Sequence, residues 1–186
     1  MRTFIAIEIP AEIKTALSGL QTELRRAGAE VSWTKPENIH LTLKFLGEIE
    51  QRLVNEIERA CVETVAEFQP FKLDLTGAGV FPKARQPRVL WAGLSGEMET
   101  LLAMQKQLEA LLAAFRFKSN EKAFRPHLTI GRVKSNRHAR ELAARAEAYS
   151  LPALSFDVRE IVLMKSELLP AGARYTALAG IELNEK

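Results

Sequence analysis

The chain has 186 residues and a net charge of +3, and its composition, 47% apolar and 26% charged, is that of an ordinary globular protein. No apolar run approaches the roughly 20 residues that a membrane-spanning helix needs, and the N-terminus is too short and too soon charged for a secretory signal. We therefore expect a monomer in the cytoplasm with no membrane partner. The single cysteine excludes an intrachain disulfide bond and a cysteine-based metal site.

The first third of the chain alternates strand and helix patterns. Residues 3–9 are rich in β-branched side chains and alternate in polarity, which predicts a strand. Pro10 fits a first helical turn, and the apolar stripe that follows it predicts a helix to about Ala27. A second strand is predicted over 39–46 and a second amphipathic helix over 49–67.

The rest of the chain predicts more strands than helices. Strands are predicted over 71–75, 89–94, 127–133, 156–165 and 174–183, a bend at 77–79, a loop at 81–87, and helices over 98–115 and 136–149. Both halves then contain a histidine-bearing strand followed by a helix and two strands. This repeat predicts one bilobal α+β domain spanning 1–186, in which two pseudo-symmetric lobes line a central cleft with antiparallel sheets and carry helices outside.

Two of the three histidines stand in nearly identical strings, HLTL at 40–43 and HLTI at 127–130. On a strand, residues two apart point to the same face, so each histidine shares a face with the threonine of its string. The leucines and the isoleucine point the other way, into apolar layers. Two such strands facing one cleft would direct two imidazoles and two hydroxyls at a single ligand.

This set of side chains suits the hydrolysis of a cyclic phosphodiester. One neutral imidazole accepts a proton from water and one imidazolium donates a proton to the leaving oxygen, which makes His40 and His127 the candidate catalytic residues. Imidazole, with an ordinary pKa of about 6.5, supplies both forms close to neutral pH. The hydroxyls of Thr42 and Thr129 are candidate donors to the non-bridging phosphate oxygens.

Two other interpretations of the motifs are open at this point. Each histidine could be a satisfied, half-buried strand residue beside a threonine that is present for its β propensity, although two matched copies weigh against this. A metal site would need a third or fourth ligand, and neither motif contains an aspartate or a glutamate. We therefore expect no metal and no cofactor. His138 lies in a polar helix start and is given no catalytic role.

Basic and aromatic residues flank the two motifs. We expect Arg132 to share the strand face of His127, provided that the strand is regular, and to bind the substrate through its guanidinium. Lys44 has the parity of His40 and is expected on the site face. Phe45 has the opposite parity, and we expect it in the core.

Five segments of the chain and one tyrosine match a known group of proteins. They are residues 2–7, 33–47, 87–94, 124–132 and 162–166, followed by Tyr175. On these segments the chain resembles the two-histidine phosphoesterase superfamily, and within it the branch of RNA 2′,3′-cyclic phosphodiesterases and 2′-5′ RNA ligases. The similarity runs over nearly the whole chain, and both histidine motifs match without departure.

The resemblance implies a metal-independent enzyme that hydrolyses an RNA 2′,3′-cyclic phosphate end to a 2′-phosphate. His40 would be the acid that protonates the 3′ oxygen, and His127 the base that activates water. The resemblance also implies a side activity, the joining of tRNA halves through a 2′-5′ linkage. Two alternatives stay open: a phosphodiesterase for a small nucleotide, such as ADP-ribose cyclic phosphate or 2′-5′ oligoadenylate, and an RNA- or nucleotide-binding module without turnover. The intact motifs argue against the binding module.

Overall fold

The computed structural model describes residues 1–117 and 123–185, and within them it contains four α-helices and nine β-strands. The helices are α1 (Ala11–Arg25), α2 (Val54–Val65), α3 (Met98–Ala113) and α4 (Ala139–Ala148). The strands are β1 (Arg2–Glu8), β2 (Val31–Trp33), β3 (His40–Glu48), β4 (Phe71–Phe81), β5 (Val89–Gly96), β6 (His127–Val133), β7 (Ser155–Val158), β8 (Glu160–Leu169) and β9 (Gly172–Glu182). The predicted α+β fold is confirmed. In this part of the chain no helix is long and apolar enough to cross a membrane.

The helices α1 and α3 each bury one face in the main hydrophobic core. The buried residues are Ile13, Leu17, Leu20, Gln21 and Leu24 in α1, and Leu101, Met104, Gln105, Leu108 and Leu112 in α3. Their three- and four-residue spacing places them on one stripe of each helix, as the helical period requires. Both stripes are apolar except for one glutamine each.

The strands form one antiparallel sheet in the order β7-β4-β5-β6-β3-β1-β8-β9, with β2 paired to the end of β6. β3 and β6 meet in the middle of this order through a single backbone pair, Leu41 with Leu128. The sheet therefore divides into one half with β4, β5, β6 and β7 and another with β1, β3, β8 and β9. The sheet thus has two lobes, as predicted, and each contributes one histidine-bearing strand at the junction, but β4 and β5, which the predicted repeat grouped with β3, lie in the lobe of β6.

Two of the helices cover the half of the sheet to which they are not joined in sequence. α1 follows β1, yet it contacts α4, which covers β4. α3 follows β5, yet it contacts β3 and α2, and α2 covers β8 and β9. The two lobes therefore exchange α1 and α3, and one hydrophobic core runs through both of them.

The prediction of a single strand over 156–165 is wrong. β7 pairs with β4 at one end of the sheet, whereas β8 pairs with β1 and β9 near the other end, and only Arg159 separates the two strands. Since strands joined by one residue cannot be far apart, the sheet curls until its two ends approach each other. An alternating pattern shows that a segment is extended but not which strand it pairs with, so the sequence does not reveal this crossing.

The bend predicted at 77–79 is also different in the structure. β4 continues through it, and the irregularity appears as a shift in register against β5 between Leu75 and Ala78. A Cβ atom at Gly79 would lie 2.6 Å from the ring of Trp91, so this glycine makes room for an aromatic ring and does not mark a turn. The three-residue strand β2 has too short a pattern to be predicted.

Candidate active site

The two His-x-Thr motifs open two neighbouring antiparallel strands, β3 and β6. Their middle residues pair with each other, so the antiparallel register sets His40 across from Thr129 and Thr42 across from His127. The two histidines are then diagonal neighbours, which on a sheet lie about 7–8 Å apart. All four side chains are partly exposed, whereas the residues between them are buried. One face of the sheet therefore presents the four polar groups together.

Each imidazole is held by a backbone carbonyl two residues before it. His40 Nδ1 lies 2.7 Å from the carbonyl oxygen of Asn38, and His127 Nδ1 lies 2.7 Å from that of Arg125. A carbonyl oxygen only accepts hydrogen bonds, so Nδ1 carries the proton in both rings. Nε2 is therefore the atom through which each histidine exchanges protons.

His40 lies among aromatic rings. Phe4 stacks on it with 4.7 Å between the ring centroids, and Tyr175 stands nearly perpendicular to it at 5.3 Å. Nε2 of His40 lies 2.9 Å from Thr42 Oγ1, whose hydroxyl donates to the neutral imidazole. The hydroxyl of the motif threonine is thus hydrogen-bonded to the atom through which its own histidine exchanges protons.

The surroundings of His40 change its protonation. Burial lowers its pKa, and the positive charge of Lys14 acts in the same direction, while the hydrogen bond to the Asn38 carbonyl favours the imidazolium. His40 in the free protein is therefore neutral over a wider pH range than an exposed imidazole. A bound phosphate brings a negative charge that favours the imidazolium again.

The aromatic contacts of His127 are different. The ring of Phe81 stands perpendicular to it with 5.3 Å between the ring centroids, and Phe81 stacks on Trp91 at 5.1 Å. Trp91 stands directly opposite Thr129 in the pairing of β5 with β6. A stacked ring therefore accompanies His40 and not His127, so the two motifs share their backbone geometry but not their surroundings.

A β-bulge follows each motif and decides which residues face the site. The pairing of β3 with β1 skips Leu43, and the pairing of β6 with β5 skips Ile130. Each skipped residue stands directly after the motif threonine. A bulge of this kind reverses the alternation of the side chains beyond it, and the two strands show the same pattern of burial through their common length.

Two predictions about the flanking residues are wrong because of these bulges. Lys44, expected on the site face, is 1% exposed, and its Nζ lies 2.7 Å from Glu109 Oε2 of α3. Phe45, expected in the core, is 56% exposed, and its ring lies 5.9 Å from that of Phe4 beside the site. In a regular strand Lys44 would face the site and Phe45 the core. The extra residue at the bulge, Leu43, reverses the two directions.

Arg132 lies on the site face for a reason other than the one that predicted it there. It stands five residues after His127 and three after Thr129, odd spacings that would put it on the opposite face of a regular strand, so a regular strand could not have given the predicted face. The bulge at Ile130 returns it to the exposed side. Burial raises the pKa of Tyr175, and the charge of Arg132 opposes this rise across the junction of the lobes. Arg132 and Phe45 hold equivalent positions on their two strands.

His138 lies apart from this site. It precedes α4 in a left-handed conformation and lines a surface cavity of about 570 Å³ together with Lys83, Arg85 and Arg140. Among the described residues, those that line this cavity belong to neither β3 nor β6. The structure therefore separates the third histidine from the other two.

Comparison with known proteins places the two motifs in a family. The family model described as the 2′-5′ RNA ligase superfamily matches residues 9–168. This chain belongs to the 2′-5′ RNA ligase superfamily. The matched region includes both histidine strands, and the resemblance that the motifs predicted is confirmed.

Relatives of this superfamily member cover nearly its whole length. The RNA 2′,3′-cyclic phosphodiesterase of Methanothermobacter thermautotrophicus is 36% identical over 177 residues, which are 95% of each chain. That of Archaeoglobus fulgidus is 36% identical over 184 residues, which are 98% of this chain and 100% of the relative. Among solved structures, TT0787 of Thermus thermophilus has a TM-score of 0.78 at 30% identity and covers 98% of both chains. E. coli LigT complexed with 3′-AMP has a TM-score of 0.77 at 26% identity, covering 99% of this chain and 98% of LigT.

Some site residues of this superfamily member are not evident from the sequence. Phe4 lies in a strand that is apolar on both faces, so alternation does not show that it meets His40. The carbonyls of Asn38 and Arg125 are backbone groups, which side-chain motifs do not report. Their shared position, two residues before each histidine, is the one signal that could have found them.

Proposed function

We propose that this member of the 2′-5′ RNA ligase superfamily hydrolyses the 2′,3′-cyclic phosphate end of an RNA to a 2′-phosphomonoester, with His40 and His127 as the catalytic residues. The observation that carries the proposal is the antiparallel pairing of two His-x-Thr strands, with Nδ1 of each ring bound to a backbone carbonyl, so that proton exchange falls to Nε2. Two proton-transfer groups about one phosphorus meet the need of an in-line displacement. Relatives named RNA 2′,3′-cyclic phosphodiesterase support this substrate.

In the proposed reaction, water attacks the phosphorus while neutral His127 takes its proton at Nε2. The bond from phosphorus to the 3′ oxygen breaks, and the imidazolium of His40 gives its Nε2 proton to that oxygen. The products are a 2′-phosphate and a free 3′-hydroxyl, and solvent then removes a proton from His127 and returns one to His40. Thr42 and Thr129 donate hydrogen bonds to the non-bridging oxygens as their negative charge increases.

The environment of His40 suits the part of acid once substrate is bound. An imidazolium whose pKa is lowered by burial gives up its proton more readily to the leaving oxygen. The negative charge of the bound phosphodiester favours the protonated form of His40 in the complex. Once Nε2 of His40 is protonated, it can no longer accept the hydrogen bond from the Thr42 hydroxyl. That hydroxyl is then available to donate to the phosphate.

Arg132 and Phe45 are the proposed substrate-binding residues beyond the motifs. Both lie on the exposed side of their strands, three residues after the motif threonine. The guanidinium of Arg132 suits a phosphate oxygen. The ring of Phe45, 56% exposed beside Phe4, offers a stacking surface for a nucleobase. The same face would then bind both parts of a nucleotide.

We extend the proposal to tRNA halves as substrates, handled by a monomer in the cytoplasm. A free 5′-hydroxyl in place of water would lose its proton to His127 while His40 protonates the same leaving 3′ oxygen, so its attack on the cyclic phosphate would give a 2′-5′ linkage. The superfamily name and the complex of LigT with 3′-AMP support a nucleotide end as ligand. Joining of purified tRNA halves, analysed on a denaturing gel, tests this extension.

The direct test uses a short RNA that carries a 2′,3′-cyclic phosphate. After incubation, a phosphatase specific for 3′-phosphates should leave the product phosphate in place, because the expected isomer is the 2′-phosphate. Removal of the phosphate would overturn the proposed direction of ring opening. Selective turnover of ADP-ribose cyclic phosphate or 2′-5′ oligoadenylate would instead favour a small-nucleotide enzyme. Binding of every substrate without turnover would reject catalysis altogether.

A further inference from the structure

The helices α1 and α3 carry the same short pattern. Residues 17–24 read LSGLQTEL and residues 101–108 read LLAMQKQL, so both follow Leu-x-x-apolar-Gln-x-x-Leu. Gln21 and Gln105 are only 3% and 6% exposed. A buried amide in an apolar stripe is destabilising unless it is hydrogen-bonded. The partners of the two amides therefore indicate why they are there.

Each glutamine donates to the carbonyl of a bulge residue. Gln21 Nε2 lies 2.8 Å from the carbonyl oxygen of Ile130, and Gln105 Nε2 lies 3.3 Å from that of Leu43. A bulge leaves its extra residue outside the regular ladder of its strand, so its buried carbonyl depends on donors from elsewhere, and at Ile130 the backbone N–H of Thr34 at 3.1 Å is one such donor beside Gln21. The helix above each bulge supplies one.

Further contacts tie both amides into the junction of the lobes. Gln21 Nε2 also donates to the carbonyl of Thr34 at 2.7 Å. Gln105 Nε2 donates to Glu109 Oε1 at 3.1 Å, and the other oxygen of Glu109 holds Lys44, the residue after the bulge, at 2.7 Å. Because α1 and α3 are exchanged, the helix that follows β1 bonds the bulge of β6, and the helix that follows β5 bonds the bulge of β3.

We propose that Gln21 and Gln105 are positioning residues, which fix the two bulges and thereby turn Arg132 and Phe45 toward the substrate. This inference rests on the proposed function. The motif histidines and threonines precede the bulges, so the register that carries them does not depend on the glutamines. Arg132 and Phe45 follow the bulges, and the extra residue alone decides their face. Loss of a glutamine should therefore weaken substrate binding and leave the chemical step nearly intact.

The test replaces each glutamine by methionine, which keeps an unbranched chain of similar length and removes the donor. Gln105→Met should raise KM for a nucleoside 2′,3′-cyclic phosphate roughly tenfold, as Phe45→Ala also should, because a base stack is lost. It should leave KM unchanged for 1-O-methyl-ribose 2′,3′-cyclic phosphate, which has no base. Gln21→Met should raise KM for both substrates, as Arg132→Ala also should. In all four variants kcat should stay within about twofold. Gln107→Met, a half-buried position on the same helix, is the matched control.

Double variants separate this mechanism from general destabilisation. Gln105→Met added to Phe45→Ala, and Gln21→Met added to Arg132→Ala, should each weaken binding no further, since each glutamine acts through that one residue. Additive losses, or a fall in kcat with KM kept, would overturn the inference. Thermal unfolding measured in parallel verifies that each variant is folded.

A second substitution covers the case in which Gln21→Met does not fold. In Gln21→Glu the protonated carboxyl can donate its one O–H to one of the two carbonyls and the ionised form cannot donate at all, so its KM relative to the unaltered protein should fall as the pH is lowered. A ratio that does not change with pH would contradict the inference.

Binding of adenosine 2′-monophosphate by calorimetry keeps the inference separate from the proposed function. If the unaltered protein turns over no cyclic phosphate, the proposed function fails, and a weakened Kd in the glutamine variants still supports positioning. If turnover is normal and neither methionine variant changes KM or Kd, the inference alone is rejected.

Discussion

At the scale of single residues, the two histidines should fail in different ways. His40→Ala and His127→Ala should each lower turnover of a cyclic-phosphate RNA by at least about a hundredfold, the size of a general acid or base contribution. With 3′-deoxyadenosine 2′-(4-nitrophenyl phosphate), which keeps the 2′ ester and whose nitrophenolate takes the place of the 3′ oxygen and departs without a proton, His40→Ala should recover most of its activity and His127→Ala should not. Release of nitrophenolate, followed by absorbance, measures the difference.

The control for this pair is His138→Ala, which lies outside the site and should retain full activity. If His127→Ala recovered its activity with this substrate and His40→Ala did not, the assignment of acid and base would have to be reversed. If His138→Ala lowered turnover as much as the other two variants, the proposed active site would be wrong.

The lowered pKa of His40 predicts a difference between two pH profiles. Both should be bell-shaped, because one histidine must be neutral and the other charged, and their limbs belong to the coupled pair. The profile of kcat/KM reports the free protein. Its alkaline limb, where the acid His40 loses its proton, should lie below about pH 6.5, since burial keeps His40 neutral down to lower pH. In kcat the charge of bound phosphate should move that limb to higher pH. Initial rates at low and at saturating substrate measure both, and coinciding limbs would contradict the prediction.

At the scale of secondary-structure elements, a buried ion pair joins α3 to the motif strand β3. Lys44 is 1% exposed and Glu109 is 20% exposed. Glu109→Leu should lower the free energy of unfolding by about 3 kcal/mol or more, because it removes the carboxylate from a buried ammonium. Lys44→Met should be less destabilising, since Glu109 can reach water and methionine fills much of the space of the lysine stem. Urea denaturation compares the two, and a larger loss from Lys44→Met would refute this ordering.

The motif strands also show how far the sequence could lead. The two-residue period correctly placed each histidine beside its threonine, because the period holds up to the bulge. Beyond it the period fails, so Lys44 and Phe45 were assigned to the wrong faces and Arg132 to the right face by a wrong argument. A bulge depends on the pairing with another strand, which local polarity does not encode. The split of the strand at Arg159 escaped prediction for the same reason.

At the scale of the whole molecule, the exchange of α1 and α3 predicts one cooperative unfolding transition. Each lobe needs a helix of the other lobe to cover its strands, so neither should remain folded alone. Thermal unfolding followed by far-ultraviolet circular dichroism and by the fluorescence of Trp33 and Trp91 should give the same midpoint. Two separate transitions would contradict the single domain proposed for the chain.

Catalysis by the whole molecule should not require a metal ion. Neither motif contains a carboxylate, and within residues 1–117 and 123–185 no group of three or more His, Cys, Asp and Glu side chains comes together. EDTA should therefore leave the rate of hydrolysis nearly unchanged. A large loss of rate that Mn²⁺ or Zn²⁺ restores would refute this prediction.

Exchange of α1 and α3 between the lobes also fits an origin in two copies of a shorter chain. A half-length ancestor with one histidine strand and one such helix would find the carbonyl for its glutamine only on a second molecule. It would therefore have had to associate as a homodimer before it could gather two imidazoles about one phosphorus. Duplication and fusion of its gene would turn that subunit contact into an internal one, after which the two copies could diverge, Phe45 in one and Arg132 in the other.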